Sequence, residues 1–202
     1  MTEPLTLATR NAHKTREIKE ILRPDFCVRD LSGLRNVPDV AETGTTFDEN
    51  AILKAVSTSH HIAGLVLADD SGLEVEALDG APGVVSARYA GERSTDHENV
   101  QRLLAELEKA DPEKKRRNAC FRCVLAIAQN GKVLGTFSGR VDGNIITAPR
   151  GSGGFGYDPV FVPNGFTETF AELPTATKNR ISHRARALEA AIPFLRAAVR
   201  TS

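Results

Sequence analysis

Four polar segments interrupt the apolar pattern of this chain, and each carries residue types that can do chemistry. Residues 9–14 read TRNAHK. Thr9, Asn11, the amides of a helix start and the Lys14 ammonium make a set of donors for phosphate oxygens. No G-x-x-x-x-G-K-[ST] string is present, so this is not a Walker loop, and an ordinary capped helix start presents similar residues. The second segment holds Glu42 with Asn50 and Lys54. Asn50 and Lys54 lie four apart and share a helix face, while Glu42 sits in the preceding loop, either solvated or as a metal ligand. The third is Asp69-Asp70-Ser71-Gly72, which follows four apolar residues. Ligands of open α/β sheets collect at the carboxyl ends of strands. Neighbours on a strand face opposite sides, so one of the two aspartates points into a given cleft. Such a carboxylate can hold Mg²⁺ through hard oxygen, or orient or deprotonate a water; the alternative is a pair of turn-forming residues. The fourth is GGFGYD at residues 153–158, followed by Lys178, Ser182, His183 and Arg184. Phe155 offers a stacking face, and Lys178, His183 and Arg184 offer donors. Taken singly, these glycines read as a loop and the histidine as structural.

The elements that must position these groups follow from periodicity and capping. Residues 5–8 predict a buried strand, and Ile18, Ile21 and Leu22 recur at helical spacing until Pro24. Residues 26–29 predict a second strand. Thr46 and Glu49 form a capping box opening a helix expected to reach Ala63, with Gly64 as its stop. Residues 65–68 predict a strand ending at the aspartates, and Leu73, Val75 and Ala77 alternate afterwards. A second capping box, Thr95 with Glu98, starts a helix with an apolar stripe of Val100, Leu103, Leu104 and Leu107. Asn130-Gly131 is a hairpin signal between two strands. Residues 160–162 predict a short strand, and a last helix is expected from about Ser182, which would cap it, disturbed by Pro193. Strands alternating with helices plus one hairpin predict an α/β fold with a mixed central sheet flanked by helices. No repeat or linker divides the chain, which reads as one domain spanning residues 1–202.

Composition narrows the function. Lys plus Arg and Asp plus Glu both number 26, and the chain holds two Tyr and no Trp. Balanced charge and few aromatics disfavour a nucleic-acid binder. No apolar stretch approaches the roughly 20 residues that cross a bilayer, and residues 1–4 (MTEP) show no leader pattern. Cys27, Cys120 and Cys123 are an odd set of thiols, read as reduced and cytoplasmic. The C-x-x-C pair lies in an apolar strand-like run and reads as core filler.

At these residues the chain resembles the inosine triphosphate pyrophosphatase family. The resemblance rests on LATRNAHK (7–14), ETG (42–44), FDENAILKA (47–55), ADDSGLEVEAL (68–78), GAPG (80–83), SARYAG (86–91), GGFGYDP (153–159), Lys178 and SHR (182–184), in family order. It implies a two-lobed α/β homodimer with the nucleotide in a cleft between lobes. It also implies hydrolysis of the triphosphates of inosine, deoxyinosine and xanthosine to monophosphate and pyrophosphate with Mg²⁺. Thr9, Arg10, Asn11, Ala12, His13 and Lys14, with Lys54, would hold the triphosphate. Glu42 and Asp70, with Asp69 beside them, would bind Mg²⁺, Asp70 would also accept the proton of water, and Ser71 would touch substrate. Phe155, Gly156, Tyr157, Asp158, Lys178, His183 and Arg184 would form the base pocket. Arg10 stands where many relatives have Gly, so its guanidinium either touches phosphate or points to solvent. Hypoxanthine and xanthine carry a carbonyl where adenine carries an amino group, so donors from Lys178, His183 or Arg184 favour them by about 1–3 kcal/mol per contact. That argument does not separate them from guanine. Rival expectations are a pyrimidine triphosphatase of the septum-inhibitor type, a nucleotide sensor without catalysis, and a nucleic-acid module.

Overall fold

The apolar runs and capped starts resolve, in a computed structural model that describes residues 5–200, into five α-helices and six strands. In chain order these are β1 (Leu5–Leu7), α1 (Ala12–Leu22), β2 (Val28–Arg29), α2 (Phe47–Ser59), β3 (Val66–Val75), α3 (Asp96–Ala110), β4 (Asn118–Gln129), β5 (Lys132–Ile145), β6 (Phe161–Pro163), α4 (Thr175–Ile181) and α5 (His183–Arg200). The strands form one mixed sheet in the order β2-β1-β3-β4-β5-β6, parallel where β1 meets β2 and β3, antiparallel where β5 meets β6. This is the expected α/β class. Among the described residues no helix is long and apolar enough to cross a membrane. Residues 1–4, where the leader pattern was sought, lie outside the described part.

The chain divides into two compact units. The first comprises residues 1–70, 123–139 and 183–202. Its core joins Leu5 and Leu7 of β1, Ile18 and Leu22 of α1, Leu65 and Leu67, Cys123, Leu125 and Ile127 of β4, and Ala187, Leu188, Ala191 and Leu195 of α5. The second comprises residues 71–122 and 140–182, with Leu73, Val75, Val100, Leu103, Leu107, Phe121, Val141, Phe161 and Phe170 at its centre. Both capping boxes are formed: Thr46 with Glu49 and Thr95 with Glu98 satisfy each other's end amides. Asn130 and Gly131 both take positive φ (51° and 76°), the conformation a two-residue hairpin turn demands.

Four expectations are corrected. α2 ends at Ser59 rather than Ala63; the chain turns at His60, and Gly64 adopts positive φ further on. β3 does not stop at the aspartates but runs through them to Val75, so they lie mid-strand. A strand can continue there because cations neutralise both carboxylates, as described below. α4 was not anticipated; its start is Pro174, which has no side-chain cap to betray it. The short strand begins at Phe161, after a turn of 3₁₀ helix over residues 158–160. Cys120 and Cys123 are free and buried. Three apart on one strand, they leave opposite faces and cannot share a ligand or a bond.

Candidate active site

In the first unit, α1, α2, β3 and α5 bring seven charged side chains into one network. Asp69 lies on β3 with its carboxylate almost sealed, at 1% side-chain exposure. Arg184, on the first turn of α5, donates from Nε to Asp69 Oδ2 at 2.8 Å and pairs through Nη1 with Glu17 of α1. Lys14 Nζ reaches Asp69 Oδ1 at 2.6 Å, and the Cys123 thiol donates to Oδ2 at 3.2 Å. Burial pushes the Asp69 carboxyl upward, but Arg184 and Lys14 outweigh it and hold the group well below the usual carboxylate range. Burial and the Asp69 charge push the Cys123 thiol far up, which keeps it protonated and unreactive.

Asp70, one residue on, faces a different set. Its Oδ1 accepts from Lys54 Nζ at 2.6 Å, while Oδ2 is buried without a hydrogen-bond partner. Burial raises the Asp70 carboxyl above its ordinary value, against the pull of Lys54. Lys54 also donates to Glu42 Oε1 at 2.8 Å and to the Asp69 carbonyl at 2.9 Å. Glu42 is carried by a loop fastened to α2, where the Gly44 amide donates to Oδ1 of fully buried Asn50 at 2.8 Å. Two adjacent carboxylates are thereby driven apart: Asp69 is locked as an ion, and Asp70 has an oxygen to spare.

Residues 9–14 lie at the start of α1, mostly exposed. Asn11 caps the helix, its Oδ1 accepting from the amides of His13 (2.9 Å) and Lys14 (3.1 Å), so those amides are not free as expected. Thr9 Oγ1 accepts from the Asn11 amide. The first turn holds Ala12, His13 and Lys14 and no acidic residue. Basic groups at the positive end of a helix dipole oppose local stability and favour an anion. Arg10 turns to its neighbouring loop, pairing with Asp39 and donating to the Val37 carbonyl at 2.8 Å.

In the second unit, Ser71 follows Asp70 on β3 and is half-buried. Asp158, 2% exposed, accepts from the Phe155 amide at 2.8 Å and from Lys178 Nζ at 2.5 Å. The Lys178 ammonium lies 5.0 Å from the Phe155 ring centroid and 5.7 Å from that of Phe170. Gly156 donates to Asp96 of α3 at 2.7 Å, and the Tyr157 hydroxyl to the Ser86 carbonyl at 2.8 Å. Gly154 has φ +70°, and a Cβ there would fall 2.0 Å from Asp158 Oδ2, so only glycine lets the loop close on this carboxylate. Tyr157 is a core residue, and the charged ends of Lys178 and Arg184 are committed to carboxylates, as buried cations must be. His183 opens α5 and is 5% exposed.

The sequence pattern singles out Asp70, Glu42, Asn50, Lys14 and Lys54 but not Glu17 and Asp96, whose partners Arg184 and Gly156 lie far off in the chain. Glu17 alone left a trace, a charged residue one position before Ile18 on the packed side of α1.

The sequence model of the Ham1 family matches residues 5–194. The chain belongs to the Ham1 family. Ham1-family relatives named dITP/XTP pyrophosphatase include one from Bacillus licheniformis, 49% identical over 91% of this chain and 93% of its own. Another, from Geobacter sulfurreducens, is 50% identical over 91% of this chain and 92% of its own. Among solved structures, a HAM1 protein from Coxiella burnetii superposes with a TM-score of 0.85 at 43% identity, covering 96% of this chain and 99% of its own.

Proposed function

We propose that this Ham1-family chain hydrolyses non-standard purine nucleoside triphosphates, those of inosine, deoxyinosine and xanthosine, to the monophosphate and pyrophosphate. The substrate class follows the names of relatives that share about half of its residues. The observation that carries the chemistry is the divergence of Asp69 and Asp70. Environments that push two carboxyls apart assign them different roles. Asp69, ionised and caged by Arg184 and Lys14, positions; Asp70, raised and with Oδ2 unpartnered, accepts a proton from the attacking water. Water adds to phosphorus, the bond to the bridging oxygen between the α- and β-phosphates breaks, and pyrophosphate leaves. Lys14 and the start of α1 offer positive charge to the phosphate oxygens.

Mg²⁺ is the cofactor these donors fit. Glu42 and Asp70 supply hard carboxylate oxygens, and Glu42 Oε1 and Asp70 Oδ1 already converge on one cation, the Lys54 ammonium, at 2.8 and 2.6 Å, which leaves Asp70 Oδ2 for the proton. Held there, Mg²⁺ would neutralise charge on the triphosphate. We also take the chain to act as a single-domain homodimer in the cytoplasm, without nucleic-acid or membrane partners. Size-exclusion with light scattering reads the first of these, and a monomer mass would reject it.

The test is pyrophosphate release from the triphosphates of inosine, deoxyinosine and xanthosine against ATP and GTP, with Mg²⁺ and with chelator. The expected result is Mg²⁺-dependent turnover of the first three, far above that of ATP and GTP. Preferential turnover of ATP would reject the specificity, and binding without turnover would favour a sensor.

A further inference from the structure

Lys54 pairs with both Glu42 and Asp70. An ammonium carries three N–H donors. Glu42 Oε1 at 2.8 Å, Asp70 Oδ1 at 2.6 Å and the Asp69 carbonyl at 2.9 Å use all three. Lys54 therefore cannot keep these contacts and also grip a phosphate. The lysine is a point charge on a flexible four-carbon stem, whereas Arg184 presents a planar fork already matched to Asp69 and Glu17. One of the two can move without dismantling the network, and it is Lys54. Formally, Lys54 leaves the Glu42–Asp70 pair with one negative charge in excess; a divalent cation would bring the pair to neutrality and leave the ammonium over.

We propose that Lys54 and the divalent cation compete for the Glu42 and Asp70 oxygens, so that binding of the cation releases the Lys54 ammonium to the triphosphate. The lysine acts as a resident counter-ion that is handed from carboxylate to phosphate. Metal and nucleotide are thereby coupled through one side chain, and the coupling is reciprocal. The inference rests on the Mg²⁺-dependent reading above and adds to it the order in which charges are exchanged.

Calorimetric titration of the full chain tests it without turnover, using Mg²⁺ alone and an α,β-imido analogue of inosine triphosphate with Mg²⁺ or with chelator. Lys54→Met removes the competing charge, and the metal alone should then bind about tenfold tighter or more. Affinity for the analogue should fall about tenfold in the presence of Mg²⁺, yet stay within about twofold under chelator, where Lys54 is not released. Lys54→Arg keeps the charge and should hold the metal affinity within about threefold of the native value. If Lys54→Met does not fold, the neutral and near-isosteric Lys54→Gln carries the same expectations. Equal or weaker metal binding in the neutral variant overturns the hand-over while leaving Mg²⁺ dependence standing, as does an equal loss of analogue affinity in both conditions. No Mg²⁺ binding by the native chain, with or without the analogue, removes the metal reading and this inference together.

Discussion

Asp69 and Asp70 are chemically identical neighbours, and what they do is decided by what each one faces. Asp69 meets a guanidinium, an ammonium and a thiol; Asp70 meets one ammonium and keeps an oxygen unpartnered. Replacing each by asparagine should separate the roles. Asp70→Asn removes the proton acceptor but leaves packing intact. Turnover should drop about 10²–10⁴-fold with a melting temperature near the native one, and a near-normal rate would take Asp70 out of the mechanism. Asp69→Asn removes one of the two carboxylates, Asp69 and Glu17, that pair with the sealed Arg184 guanidinium in the first unit. Breaking a buried pair from one side costs about 3–5 kcal/mol, so denaturant unfolding should show a large loss of stability. An unchanged midpoint would mean that Arg184 has another counter-charge. The sequence showed that two carboxylates stood side by side but not which was which, because their partners come from residues 14, 17, 54 and 184.

At the scale of elements, legibility follows how local the cause is. The two capping boxes and the hairpin are set by residues within four positions of one another, and all three formed as expected. β3 was misread because its continuation depends on cations distant in the chain; two adjacent aspartates after an apolar run otherwise signal an end. The ion pair of Lys178 was not legible for the same reason, since its partner Asp158 lies 20 positions away. α2 joins both cases, since it starts on a local signal and carries Lys54 to a distant target. Its cap predicts a modest effect: Thr46→Ala should cost about 1 kcal/mol. Asn50→Ala should cost more, about 1–3 kcal/mol, because the Gly44 amide loses its buried acceptor. The second change should also lower turnover, since it loosens the loop that bears Glu42, whereas the first should leave turnover nearly unchanged. Thermal melts paired with initial rates distinguish the two, and equal rates for both variants would detach the Glu42 loop from catalysis.

For the whole molecule, balanced charge (26 against 26) leaves no large net field to drive acid unfolding near neutrality, so the response to pH falls to individual carboxyls. Several described carboxyls are held below their ordinary values, among them Asp30, Glu49, Asp69, Glu98, Asp111 and Glu168. Main-chain amides do this for Glu49, Glu98 and Glu168. At Asp30 and Asp111 main-chain amides overcome the upward push of burial, and at Asp69 Arg184 and Lys14 do so. A carboxyl with a depressed folded pKa binds fewer protons folded than unfolded. Its contribution is complete above the ordinary values of 3.8 for Asp and 4.5 for Glu and is lost as pH falls through the folded value. Asp70 works the other way, taking up a proton on folding between 3.8 and its raised value and losing stability as pH rises through that window. With these lowered groups set against Asp70, stability should hold from pH 7 to about 5 and decline below about 4.5. Asp69 is buried and carries two cations on its carboxylate, so Asp69→Asn should flatten the acid decline more than Glu→Gln at exposed Glu49 or Glu98. Urea unfolding at stepped pH measures this directly. A decline of native slope in Asp69→Asn would show that the caged carboxylate does not set the acid limit.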